Sequence, residues 1–79
     1  MKVLIKGMET QARIDLLLQL TKVKSENKKQ ALYDHYCNGS TVSAAAALNG
    51  VKQPKLAELI AKIERIAVIN EKLFELKNR

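Results

Sequence analysis

Apolar residues recur at intervals of three and four along most of the chain, a spacing typical of amphipathic helices. The first such segment covers residues 9–23. Its core-facing side chains form two adjoining rows, Ile14, Leu17, Leu18 and Thr21 in one and Leu16, Leu20 and Val23 in the other. Together the rows predict one helix with a broad apolar face. Residues 1–7, which precede it, are predicted to form a short arm, either a brief strand or an extended tail.

A second helix is predicted over residues 26–38. Ser25 is a favourable N-cap, because its hydroxyl can accept a hydrogen bond from a first-turn N–H group, and Glu26 suits the positive end of the helix. At the other end, Asn38-Gly39 is suited to a left-handed C-cap. The expected core residues are Ala31, Leu32 and Tyr36, with His35 as a further candidate.

A third, shorter helix is predicted over residues 41–49, capped by Ser40 or Thr41 and ended by Asn49-Gly50. Its apolar residues are Val42, Ala45, Ala46 and Leu48.

The fourth helix is predicted over residues 54–78, with Pro54 at its first position, where a missing N–H group costs nothing. No Gly or Pro interrupts residues 55–79, so one long helix and two helices joined near residues 68–70 both fit. Its apolar stripe consists of Leu56, Leu59, Ile60, Ile63, Ile66, Ala67, Leu73, Phe74 and Leu76. We therefore expect an all-α fold, a small helical bundle with a long C-terminal helix, in a single domain over residues 1–79.

Composition narrows the class of protein. With 79 residues the chain has room for one small core, which makes oligomerisation expected. One cysteine excludes an internal disulfide framework, and no apolar run approaches the roughly 20 residues of a membrane span. These observations predict a cytoplasmic protein without a membrane partner.

Positive charge is concentrated in two parts of the chain. The net charge is +6, from 14 Lys and Arg against 8 Asp and Glu. One basic cluster is Lys22, Lys24, Lys28 and Lys29, and the other is Lys52, Lys55, Lys62 and Arg65. Such an excess favours a polyanionic partner, most simply nucleic acid, although lysines also serve to solvate helix surfaces.

The stretch from residue 42 to residue 59 has the spacing of a helix-turn-helix. The helices of such a unit cross closely, so the first needs a small residue at its middle, and Ala46 supplies it. Four residues later Gly50 permits a left-handed turn, and the apolar Val51 follows it. Leu56 and Leu59 then occupy the buried positions of the second helix. An incidental helical hairpin would share part of this pattern.

A helix-turn-helix here would turn several polar side chains toward DNA. Gln53 stands at the start of the second helix, where an amide can read an adenine edge, although helix capping explains it equally well. Lys52, Lys55 and Lys62 are expected on phosphates. Hydroxyls at the start of the preceding helix, on Ser40, Thr41 and Ser43, are expected to add phosphate contacts.

Scattered residues over about 7–70 resemble the PapB-type regulators of adhesin and fimbrial operons in enteric bacteria. They are Gly7-Met8-Glu9, the Leu-rich helix, Ser25, Ala31-Leu32-x-Asp34-x-Tyr36, Gly39 before the helix-turn-helix, and the Leu/Ile-rich helix with Arg65. The resemblance implies a small helical transcription regulator, associated with the nucleoid, that binds AT-rich operator DNA as an oligomer, with minor-groove contact an alternative to the major groove. Where such regulators carry an Arg and a Cys, this chain has Val42 and Ala46. Plasmid-type repressors are a second resemblance.

The sequence gives little support for a metal site or a catalytic site. His35 and Cys37 provide too few ligands for zinc, and they point to different sides of a helix, which argues against a catalytic pair. The acidic residues are isolated and no glycine-rich phosphate loop occurs, so we expect no enzyme, cofactor or small-molecule ligand. The apolar stripe of the last helix either closes the core or forms a dimer seam in which Asn70 sets the register. A helical protein-interaction module is the alternative to a DNA-binding regulator.

Overall fold

The computed structural model describes residues 4–77, and the fold within that range is all-α. Four helices follow one another: α1 (Gln11–Thr21), α2 (Glu26–Tyr36), α3 (Val42–Leu48) and α4 (Gln53–Lys77). The first three are short, and α4 contacts each of them. The predicted class, a small helical bundle with a long C-terminal helix, is therefore confirmed.

Helix α1 is shorter than predicted at both ends. The helix begins after Thr10, whose hydroxyl accepts a hydrogen bond from the Arg13 N–H group at 3.2 Å. It ends at Thr21, because Lys22 adopts a left-handed conformation with φ +60°. The predicted range of 9–23 was thus two residues too long at each end.

The other predicted ends shift by one or two residues. Ser25 caps α2 and Thr41 caps α3, as the sequence indicated, with Thr41 rather than Ser40 accepting from the Ala44 N–H group. Helix α2 stops at Tyr36 instead of residue 38. Its C-cap is Cys37 in a right-handed conformation, so the predicted left-handed C-cap was wrong, and Gly39, with φ +80°, comes three residues after the helix. Helix α4 starts at Gln53, one residue before Pro54, which still lies in the first turn. Residue 78, its predicted end, lies outside the described residues.

All four helices contribute to one core. Ile14, Leu17, Leu18 and Thr21 are buried on α1, so one of its two predicted rows faces inward. Leu16 and Leu20 of the second row do not, since they are 64% and 60% exposed, whereas Val23, which lies beyond the end of the helix, packs against the core. A helix on the surface of a small bundle can turn only one stripe toward the core. The remaining buried residues of the core are Leu4, Ala31, Leu32, Tyr36, Ala45, Ala46, Leu56, Leu59, Ile63 and Ala67.

The N-terminal arm is part of this core. Leu4 is fully buried, and the Ile5 N–H group donates to Glu9 Oε2 at 2.8 Å. Residues 6–8 form a turn, and no strand occurs within residues 4–77. The predicted brief strand or extended tail was therefore wrong for residues 4–7, while residues 1–3 lie outside the described range.

Helix α4 is continuous, but only its first part packs against the core. Up to Ala67 its stripe closes the core, as one of the two predictions had it. Beyond Ala67 no described residue of α4 is buried, and the side chains of Ile69, Leu73, Phe74 and Leu76 are 56–63% exposed. At 1.5 Å per residue, 25 residues span about 38 Å, which accounts for most of the 43 Å long axis of the molecule. The last two to three turns thus project beyond the bundle.

Candidate nucleic-acid interface

The turn between α3 and α4 has the features that the sequence predicted. The Val51 N–H group donates to the Ala46 carbonyl at 3.0 Å, and Gly50 between them has φ +64°. This six-residue closure is a Schellman motif, which favours glycine at its left-handed position. Ala45 and Ala46 are buried, so the middle of α3 turns only small side chains toward the core.

A polar side chain ties this turn to α2. Asn49 Nδ2 donates to Asp34 Oδ2 and to the Ala45 carbonyl, each at 2.8 Å. The bond from Asn49 lowers the pKa of Asp34, and amides of Asn38 and Gln30 act in the same direction. Asp34 therefore positions the turn. Sequence reasoning missed this role, although an Asn beside the turn glycine was a usable signal.

The first half of α4 has one face in the core and one face in solvent. Leu56 and Leu59 are buried as predicted, and Val51 packs against the core from the turn. The opposite face is exposed, and it includes the predicted contact residues Lys52, Gln53, Lys55 and Lys62 as well as Ala57, Glu58 and Ala61. The bend at Gly50 thus presents a solvent-accessible, lysine-bearing helix surface.

Five lysines from the two basic clusters of the sequence line one groove in the structure, whereas Lys29, Lys52 and Arg65 lie outside it. A groove of about 400 Å³ runs between the α1–α2 connection and α4. Lysines line both of its walls, Lys22, Lys24 and Lys28 on one side and Lys55 and Lys62 on the other, with Glu58 beside the latter. The sequence identified both clusters, but nothing in it indicated that they share a groove.

Gln53 and Arg65, the other α4 residues predicted to contact DNA, lie outside the basic groove. Gln53 precedes Lys55 by two residues, and at 100° per residue it projects from the opposite side. Arg65 is exposed and borders a different groove, of about 390 Å³, with Glu64, Val68 and Ile69. The structure therefore brings Lys55 and Lys62 together and separates Gln53 and Arg65 from them.

The three predicted hydroxyl residues surround the start of α3 rather than the basic groove. Ser43 and Thr41 are exposed, and the Thr41 hydroxyl oxygen accepts the capping bond from the Ala44 N–H group at 3.1 Å. Ser40 is half-buried, its N–H group donates to the Asp34 carbonyl at 2.9 Å, and its own carbonyl lies 2.9 Å from His35 Nδ1. The backbone of Ser40 thus holds the α2–α3 connection.

Two tyrosine–carboxylate pairs hold the helices that carry this surface. Tyr36 Oη donates to Glu64 Oε1 at 2.9 Å and joins α2 to α4, and burial together with this bond raises the pKa of Tyr36. Tyr33 donates to Asp15 and joins α2 to α1, and this bond together with partial burial raises the pKa of Tyr33 to about 12. Both pairs tie α2 to the helices that border the groove.

The residues that suggested other chemistry are embedded in the same scaffold. Cys37 is half-buried, which raises the pKa of its thiol, and the rings of His35 and Tyr36 meet edge to face at 4.8 Å. Among the described residues, no three His, Cys, Asp or Glu side chains come together as a metal site. No helix within residues 4–77 has both the length and the apolar character that crossing a bilayer requires.

Comparison of the chain with protein-family models, with curated proteins and with solved structures gives no match.

Proposed function

We propose that the protein binds duplex DNA through the α3–α4 helix-turn-helix and acts as a transcription regulator. The observation that carries this proposal is the glycine bend at residue 50, which leaves the first half of α4 exposed along one face, with Lys55 and Lys62 on it and Lys52 directly before it. A charged, exposed helix next to a tight turn is the element that such proteins insert into a DNA groove.

Different residues serve different parts of the contact. Lys52, Lys55 and Lys62 neutralise phosphates and supply affinity that does not depend on sequence. Gln53, on another side of the helix start, is the candidate for reading a base edge. Thr41 and Ser43 offer hydroxyl donors to a phosphate at the start of α3, and Arg65 adds a cation farther along α4. No catalytic step and no cofactor enter this function.

The target and setting follow from the resemblance to PapB-type regulators, which favours AT-rich operator DNA of an adhesin or fimbrial operon. A location in the bacterial cytoplasm, in association with the nucleoid, goes with that role. We further propose that the protein acts as a homodimer or larger oligomer. Support for this comes from the projecting end of α4, where Ile69, Leu73 and Leu76 are exposed.

The function is tested by two substitutions assayed on several duplex sequences. Lys55→Ala should weaken binding to all of them by a similar factor, because it removes a phosphate contact. Gln53→Ala should change the order of preference among them, by about 1–3 kcal/mol at the affected base pair. If neither variant differs from the wild type on AT-rich DNA, the assigned surface is wrong.

A helical protein-interaction module is the second candidate function. The exposed apolar residues at the end of α4 favour it, as does Glu58 on the surface assigned to DNA. Retention on heparin at moderate salt, combined with competition by duplex DNA, separates the two functions. Failure of both tests favours the interaction module.

A further inference from the structure

The basic groove extends beyond the helix-turn-helix. One of its walls belongs to α4, but the other is formed by the α1–α2 connection, about 30 residues earlier in the chain. Five lysines and one glutamate, Glu58, are the charged groups that line it. The groove therefore carries a strong positive potential in a part of the molecule that a helix-turn-helix alone does not require.

The backbone at one edge of the groove is unusual. Lys22 is the single residue other than glycine with positive φ within residues 4–77, and it follows α1 as its C-cap. Glycine suits this position better because it has no Cβ, and asparagine because its short side chain can hydrogen-bond to the local backbone. A lysine at this position adds a charge to the groove at the expense of local backbone stability.

The start of α2 also adds positive charge to the groove. Ser25, the N-cap of α2, lines the groove, and Lys28 in the first turn lines it too. The first N–H groups of a helix carry partial positive charge, which adds to that of the lysines around them. Glu58 lies on the same side of α4 as Lys55 and Lys62, three residues after one and four before the other, so its carboxylate lowers the net positive charge of that wall.

We propose that this groove is a second DNA-binding element, which holds the phosphodiester backbone of the duplex that α4 contacts. The proposal rests on the DNA-binding function proposed above. Lys22, Lys24 and Lys28 form one side of the phosphate track and Lys55 and Lys62 form the other. Because all five are flexible cations without a fixed fork of donors, they bind phosphates as point charges and do not read bases.

The experiment compares two double variants of the full chain, Lys24→Gln/Lys28→Gln and the control Lys72→Gln/Lys77→Gln. Each removes two charges from exposed or half-exposed positions, but Lys72 and Lys77 lie on the projecting end of α4, away from the groove. Binding to AT-rich and GC-rich duplexes is measured by fluorescence anisotropy at several salt concentrations. Circular dichroism checks that both variants are folded. Sedimentation equilibrium checks that the control keeps the wild-type oligomeric state, because Lys72 and Lys77 lie on the segment assigned to self-association.

The groove variant should reduce the slope of log affinity against log salt by about 2 for each chain bound, one for each lysine, and equally for both duplexes. The control should keep the wild-type slope. Glu58→Gln should raise the affinity for both duplexes, because it removes the negative charge from the track.

The experiment distinguishes a wrong groove proposal from a wrong DNA-binding function. If the wild type binds duplex DNA and the two double variants have equal slopes, the groove proposal is overturned while the DNA-binding function stands. If the wild type binds no duplex, both proposals are overturned.

Vesicles of phosphatidylcholine and phosphatidylserine provide a further comparison. A groove variant that loses vesicle binding but keeps the wild-type slope on DNA would assign the groove to an anionic lipid surface instead.

Discussion

The Val51 N–H group donates to the Ala46 carbonyl at 3.0 Å, and this bond closes the turn from which α4 departs. Gly50 inside the turn has φ +64°, and a Cβ added there meets no atom within 4 Å. Gly50→Ala should therefore lower the free energy of unfolding by about 1 kcal/mol through backbone strain alone. Gly50→Asn should cost less, since asparagine tolerates this conformation. Urea unfolding measures both, and equal stabilities of all three proteins would show that the turn does not require a left-handed residue.

The bond from Asn49 to Asp34 should contribute to stability above the pKa of the carboxyl. We expect Asn49→Ala to lower the free energy of unfolding at neutral pH by about 1 kcal/mol. The exposed Asn38, which also donates to Asp34, provides the control Asn38→Ala, with a smaller loss. The lowered pKa of Asp34 means that the wild-type contribution is present above about pH 4 and is lost as the pH falls through the folded value. Acid unfolding curves that coincide for wild type and Asn49→Ala would contradict this role.

The two tyrosine pairs should make the fold sensitive to alkali. The bond to Asp15 raises the pKa of Tyr33 to about 12, and burial together with the bond to Glu64 raises the pKa of Tyr36. The folded chain then binds more protons than the unfolded chain above about pH 10, and stability falls as the pH increases through that range. Unfolding free energies of wild type and Tyr33→Phe, measured across it, should decline less steeply for the variant. Parallel declines would exclude Tyr33 as the cause.

The projecting end of α4 should mediate self-association. We expect the wild type to sediment with a mass above that of one chain at high concentration, and Leu73→Glu to return it to a single chain. Leu48→Glu is the matched control, because Leu48 is 73% exposed but lies on α3. Sedimentation equilibrium measures these masses. A wild type that stays a single chain at all concentrations would contradict self-association through α4.

Local signals accounted for most of what the sequence predicted. The caps at Ser25 and Thr41 and the spacing from Ala46 to Gly50 and Leu59 depend on neighbouring residues, so they are visible without a tertiary structure. The end of α1 was missed because Lys22 adopts a left-handed conformation that no residue preference signals. The start of α1 could have been found, since Thr10 is a favourable N-cap.

Features that depend on tertiary packing were missed. Leu16 and Leu20 have the same periodicity as the buried row of α1, and only the positions of the other helices decide which row faces inward. Likewise, Lys24 and Lys62 line the same groove only because the α1–α2 connection lies beside α4. Periodicity also predicted the length of α4 without indicating that the bundle would leave its last turns uncovered.

The salt dependence of duplex binding by the wild type and by Lys55→Gln/Lys62→Gln tests the central claim most directly. With phosphate contacts from Lys52 and the five groove lysines, the wild-type affinity should fall about a thousandfold between roughly 50 and 200 mM salt. Loss of two of these contacts should reduce the slope by about 2 while the protein stays folded. A wild type that does not bind duplex DNA at low salt, or a double variant with the wild-type slope, would contradict the assignment of α4 to DNA.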